Sequence, residues 1–266
     1  MNKFKAVIAD FDGTLVDSSL KISPIIEKFI KNLIARGFLF SIATARPFWG
    51  KIEEVCGLLL LENPVIVRAG SEIVDPIQKV PIWAKHIPES EVKHLIKYCL
   101  ETKQSISLER DQKIYVFGKL PSKEYSAGLE MKDIQLLNNF NKISKIVLRG
   151  IEESDLEKFK NTLDSTFKNL HVDISFNPQR KAVLDIISSE TSKSIALRKF
   201  SKLVGVKPEE IVGIGDGYND YSLLSACGYK VVMQNAPNKI KEMADLIVPP
   251  AENDGLAEAI TKLFDT

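Results

Sequence analysis

Asp10 and Asp12 stand two apart in the run Asp10-Phe11-Asp12-Gly13-Thr14-Leu15, directly behind the apolar stretch 4–9. A short strand followed by two carboxylates and a glycine turn puts acid at the carboxyl end of a strand. That is the edge where open α/β sheets bind their ligands. Carboxylates held this close repel one another unless a cation or a shared proton relieves them. A second acidic run, Gly215-Asp216-Gly217-Tyr218-Asn219-Asp220, follows the apolar residues 211–214. Thr44 ends another such stretch, 38–43, and Lys193 opens a helical pattern. Strands lying parallel in one sheet would gather these groups into a single pocket. Carboxylates with a few waters suit Mg²⁺. A hydroxyl, an ammonium and the backbone N–H groups of the turn after Asp10 suit phosphate oxygens. The combination points to phosphoryl transfer through a carboxylate nucleophile.

The elements that must position these groups can be read along the chain. Residues 4–9 are apolar except for Lys5, as in a strand covered on both faces. Ser23-Pro24 supplies an N-cap and an N1 proline, apolar residues then recur at helical spacing to Ile34, and Gly37 closes the helix. A strand over 38–43, a helix from Pro47 to about Cys56, a strand over 64–68 and a hairpin into 72–74 follow. From about residue 81 the rhythm changes. A helix over 91–100, a hairpin pair at 105–108 and 114–117, and a strand at 145–149 come next. A helix opened by the capping box Ser154-Asp155-Leu156-Glu157 and strands at 171–176 and 182–187 complete an α+β unit with antiparallel pairings. After Ser189 the strand–helix alternation returns to the end. The expected fold is α/β: a doubly wound parallel sheet made from 1–80 and 188–266, with 81–187 as an inserted α+β domain.

Composition sets the outer limits. At 266 residues, with 44% hydrophobic and 27% charged residues, the chain is an ordinary globular protein large enough for two units. A formal net charge of +1 argues against a broad basic face for nucleic acid. No stretch approaches the length of a membrane span or a signal peptide, so a cytoplasmic location is expected. Three scattered cysteines, Cys56, Cys99 and Cys227, read as buried reduced thiols, and His86, His94 and His171 show no ligand spacing. Gly213-x-Gly215-x-Gly217 has its third glycine misplaced for a dinucleotide loop, and Asp216 would meet a pyrophosphate with the wrong charge. Trp49 and Trp83 are expected in the core or between the two units.

With its motifs in this order, the chain resembles the haloacid dehalogenase superfamily, and within it the Cof-type sugar-phosphatase group with an inserted cap. The likeness rests on DFDGTL at 10–15, ATARP at 43–47, TSKSIAL at 191–197 and GDGYND at 215–220. The resemblance implies that Asp10 is a nucleophile forming an aspartyl-phosphate. It implies that Asp12 is the general acid and base, its proton affinity raised by negative neighbours. It implies Mg²⁺ held by the Asp10 side chain, the Asp12 backbone carbonyl and Asp216, with Asp220 in support through water. Thr44, Lys193 and the backbone at Phe11 and Ala45 would grip the phosphoryl group, and Asn219 would orient Lys193 or the phosphate. Three departures stand out: Ala45 and Ser194 where the family usually has glycine, and Arg68-Ala69-Gly70-Ser71 where Asn-Gly-Ala is frequent.

The function this implies is Mg²⁺-dependent hydrolysis of small phosphorylated metabolites beneath a cap, with no nucleic-acid or membrane partner. Two alternatives stay open at this point. One is a phosphomutase of the phosphomannomutase type; the other is a non-catalytic protein that binds phosphometabolites on the same fold. Residues 105–117 and 149–150 are expected to face the cleft.

Overall fold

The computed structural model describes residues 3–176 and 181–264. The chain opens with β1 (Ala6–Ala9), α1 (Pro24–Ala35), β2 (Leu39–Ile42) and α2 (Lys51–Leu59). Ser23 caps α1 by accepting from the Ile26 N–H at 3.1 Å, and Gly37 turns the chain away with φ 85°. The second helix begins at Lys51, not at Pro47. Gly50 precedes it with φ 82°, a left-handed conformation no helix can run through.

Next come β3 (Val65–Val67), β4 (Glu72–Asp75) and β5 (Val80–Ala84), a small antiparallel sheet joined to β2 through the bridge Ala43↔Ile66. The chain then builds α3 (Glu89–Glu101), β6 (Ser105–Arg110), β7 (Lys113–Phe117), α4 (Lys123–Ser126) and β8 (Glu130–Asp133). It continues with β9 (Lys145–Ile151), α5 (Leu156–Thr166), β10 (Leu170–Phe176) and β11 (Ala182–Ser188). These strands form one six-stranded sheet in the order β10-β11-β9-β6-β7-β8, antiparallel except for the β7–β8 pair. The capping box expected at Ser154 does not form. Residues 153–155 wind as a 3₁₀ turn, so Asp155 and not Ser154 precedes α5, without a side-chain cap.

The last third supplies α6 (Lys193–Val204), β12 (Ile211–Gly215), α7 (Tyr221–Ala226) and β13 (Tyr229–Met233), then α8 (Asn238–Lys241), β14 (Leu246–Val248) and α9 (Gly255–Phe264). The parallel sheet runs β14-β13-β12-β1-β2, so strands from both ends of the chain meet at its centre. Every residue of β1 is fully buried. Val7 and Ala9 pack with Ile26, Ile30 and Ile260 from α1 and α9. Ala6 and Ile8 pack on the other face with Leu197, Phe200 and Leu223 from α6 and α7. Succession reverses between β1 and β12: one leads outward to β2, the other to β13 and β14. In a doubly wound sheet that reversal opens a crevice beyond the carboxyl ends of the two strands. Among the described residues, no helix is long and apolar enough to cross a membrane.

Candidate active site

Asp10 follows β1 and Asp216 follows β12, so the paired register Ala9↔Ile214 delivers both acids to the mouth of the crevice. The Asp10 N–H donates to Ile214 O at 2.8 Å, which fixes the turn. Lys193, first residue of α6, is fully buried and donates from Nζ to Asp10 Oδ1 at 2.6 Å and to Asp220 Oδ1 at 2.7 Å. The second Asp220 oxygen accepts from the backbone N–H groups of Asp216, at 3.1 Å, and Gly217, at 3.0 Å. Thr14 donates to Asp216 Oδ1 at 3.2 Å. Gly13 has φ 75°, and a methyl there would sit 2.5 Å from Asp216 Oδ2. The glycine is a requirement of this close approach.

Carboxylate oxygens of Asp10, Asp216 and Asp220 all lie within 4.8 Å of one another. Burial and the Asp220 charge push the Asp10 carboxyl well above its ordinary range, against the pull of Lys193. Burial, with Asp220, lifts Asp216 to about 7. One ammonium therefore does not satisfy three acids. Oxygen donors with unmet demand for positive charge fit a hard divalent cation, which would reverse both shifts.

Asp12 is turned to the opposite wall. Arg46 Nε donates to its two oxygens at 3.0 and 2.8 Å, and Arg46 Nη2 adds a third bond at 2.6 Å. The guanidinium lies 5.6 Å from the Phe11 ring and 5.8 Å from the Tyr125 ring. The sequence had placed only negative neighbours around Asp12; the structure adds a cation. Thr44 is buried, and its Oγ1 accepts from the Arg46 N–H at 3.1 Å. Asn219 lines the cleft, while the residue that holds Lys193 is Asp220.

The cleft measures about 850 Å³ and is floored by Asp10, Asp12, Ala45, Asp216 and Asn219. Its far wall is Tyr125, Arg149, Gly150, Ser175 and Asp185 of the six-stranded unit, with Lys119 at the rim. Of the stretch 105–117 none lines it. Strands β6 and β7 lie beyond β9 in the sheet, so Ser107 and Glu109 reach the wall only by bonding Arg149 and Tyr125. Trp83 packs with the core cluster behind β1 and not in the cleft.

The haloacid dehalogenase-like hydrolase family model matches residues 7–260. The chain belongs to that family. A solved haloacid dehalogenase-like hydrolase from Bacteroides thetaiotaomicron superposes with a TM-score of 0.83 at 23% identity, covering 98% of this chain and 100% of that one. A structure described as a haloacid dehalogenase subclass IIB sugar phosphatase gives 0.81 at 23%, covering 98% and 99%. A protein of Buchnera aphidicola (subsp. Schizaphis graminum), named provisionally as a phosphatase, is 26% identical over 98% of this chain and 96% of its own length. A phosphoglycolate phosphatase of Methanopyrus kandleri is 22% identical over 97% of each chain. Membership makes the chain a hydrolase, with relatives named as phosphatases.

Within this haloacid dehalogenase-like hydrolase the glycines of β12, at and before the second acidic run, serve packing. A methyl on Gly213 would lie 2.6 Å from Cys227 Sγ, and one on Gly215 2.7 Å from Asp220 Cβ. Both sit in β12 and neither forms a dinucleotide loop. Arg68, in the stretch where the sequence departs from the family pattern, is fully buried and bonds Glu72 at 2.6 Å and Glu109 at 3.2 Å, as well as the Asp111 carbonyl. It ties the small sheet to the six-stranded one. The roles of Arg46 and of the Tyr125–Lys145–Asp185 group were missed from the sequence, as was the ion pairing of Arg68. For Arg46 a signal existed: a cation directly after Ala45, a residue expected to face the phosphate.

Proposed function

We propose that this hydrolase is a Mg²⁺-dependent phosphatase acting on small phosphorylated metabolites through an aspartyl-phosphate on Asp10. The observation that carries the proposal is the Asp10 carboxylate at the cleft floor, one oxygen held by Lys193 and two further acids within cation-binding distance. Asp10, the Asp12 backbone carbonyl and Asp216 would hold Mg²⁺, supported by Asp220. Bound there, the cation would offset the charge of Asp10 and of the incoming phosphate, which otherwise repel.

Asp10 attacks phosphorus while the ester oxygen leaves with a proton from Asp12. Water then attacks the aspartyl-phosphate, Asp12 takes back its proton, and phosphate departs. Thr44, Lys193 and the N–H groups of Phe11 and Ala45 would grip the transferred group, with Asn219 at its side. Residues 1–80 and 188–266 would form the catalytic core, with 81–187 as a cap that excludes bulk water and folded proteins. Names of relatives that act on phosphoglycolate or on sugar phosphates support a small substrate. Three free, buried cysteines support a cytoplasmic setting.

Phosphate release from p-nitrophenyl phosphate and from a panel of sugar phosphates and phosphoglycolate, with and without Mg²⁺, tests this. Turnover should need the metal and vanish in Asp10→Asn. No turnover in the wild type, or full turnover in Asp10→Asn, would refute it. Isomerised hexose phosphate without free phosphate would mark a mutase.

A further inference from the structure

Lys145 opens β9 and is fully buried, yet its side chain reaches across to the opposite side of the cleft. Its ammonium donates to the backbone carbonyl of Ala45 at 2.6 Å and to the Tyr125 hydroxyl. Asp185 stands 3.0 Å away and Glu109 3.4 Å away. Burial opposes the charge on Lys145, but Asp185 and Glu109 outweigh it and raise its proton affinity above the ordinary lysine value. The group is a fixed cation.

The Ala45 carbonyl belongs to the same peptide group as the Arg46 N–H, and that N–H donates to Thr44 Oγ1. A charge-assisted bond at one end of a peptide group polarises it and strengthens the donor at the other. With one lone pair of Thr44 taken up by the Arg46 N–H, the hydroxyl proton has to be donated elsewhere. The same backbone segment carries the guanidinium that chelates Asp12. One ammonium from the six-stranded unit thus bears on two groups of the parallel-sheet unit.

We infer that Lys145 is a positioning residue for phosphoryl transfer. Its ammonium, supplied from the far side of the cleft, sets the Ala45–Arg46 peptide and through it the Thr44 hydroxyl and the Arg46–Asp12 pair. The inference rests on the phosphatase proposal for its catalytic consequence, and on geometry alone for the positioning. A purely structural role competes with it, in which Lys145 only neutralises Asp185 and Glu109.

Lys145→Met, Asp185→Asn and the double variant separate the two roles, since the double removes one charge of each sign. The first readout is kcat and KM for p-nitrophenyl phosphate with Mg²⁺. The second is the amide signal of Arg46 in protein labelled with ¹⁵N-arginine, assigned with Arg46→Lys. Relative to Asp185→Asn, the double variant should keep a similar melting temperature, lose kcat on the order of 100-fold with little change in KM, and shift the Arg46 amide. A double variant with the kcat of Asp185→Asn and an unmoved Arg46 amide overturns the inference. If the methionine variants do not fold, Lys145→Gln takes their place, keeping a donor without the charge. A wild type without phosphatase turnover sinks the proposed function, while the amide signal still decides whether Lys145 sets the peptide.

Discussion

Lys193 Nζ lies 2.6 Å from Asp10 Oδ1 across a sequence separation of 183 residues, and both groups are buried. The contact joins the start of α6 to the end of β1. It leaves a buried ammonium between two acids at the floor of the cleft. Removing Lys193 leaves Asp10 and Asp220 buried without their shared cation, whereas removing the Asp10 charge leaves Lys193 paired with Asp220. Lys193→Met should therefore lose both activity and stability, the latter by about 3–5 kcal/mol in a denaturant titration. Asp10→Asn, which removes one negative charge from a crowded cluster, should fold normally and lose at least ~1,000-fold in turnover. A Lys193→Met protein with wild-type stability would contradict the buried pairing.

Asp12 predicts a dependence on leaving group. A proton donor matters most when the departing oxygen is a strong base. Asp12→Asn should slow hydrolysis of an alkyl phosphate by about 100- to 10,000-fold. With p-nitrophenyl phosphate, whose phenolate leaves unaided, the loss should be clearly smaller. Equal losses on both substrates would remove Asp12 from the leaving-group step.

Gly50 and Gly128 meet backbone to backbone. Both have positive φ, 82° and 78°, and a methyl on Gly128 would lie 2.6 Å from Gly50 N. Gly128→Ala should hold the 123–133 segment away from the core loop and lower kcat tenfold or more. Limited proteolysis should then cut faster between the two units. Unchanged kcat and an unchanged cleavage pattern would show that this contact does not limit closure.

With Asp216 as a metal ligand, as proposed, its carboxyl would couple metal binding to pH. Burial, with Asp220, lifts it to about 7 in the protein without metal, so it carries a proton below that pH. A cation must displace that proton. Mg²⁺ affinity should weaken as pH falls from 8 to 6, by up to about tenfold per unit for each proton displaced. Calorimetric Mg²⁺ titration across that range checks it, and a pH-independent affinity would contradict it.

Much of this site was legible because strand ends are marked twice, once by the apolar run and once by the polar residue that stops it. Asp10, Thr44 and Asp216 all fall at such junctions, and Lys193 opens the helical pattern of α6, which Ser192 caps by accepting from the Ile195 N–H. Arg149 and Gly150 were expected at the cleft and do line it, but the rest of the far wall was illegible for a different reason. Lys145, Val147 and Arg149 alternate on one face of β9, but alternation does not say whether a face meets solvent or a second unit. Lysine and arginine in such a pattern read as exposed, and only the three-dimensional arrangement shows Lys145 buried between Asp185 and Glu109. Arg68 was visible as a departure from the family motif. What replaced the missing asparagine, an ion pair tying two sheets together, depends on Glu109 in a strand far along the chain.

The placement of β12 beside β1 also bears on how the chain assembles. During synthesis the central strand leaves the ribosome early and must wait for a neighbour near the opposite terminus. Until then β1 lacks its pairing partner on one side, although β2, α1 and the α6 residues Leu197 and Phe200 are already made, and nascent chains cut short before residue 211 cannot bring Asp216 to Asp10. Shielding by a chaperone during that interval would favour the yield of correctly folded protein, and late stop codons should be as damaging as early ones.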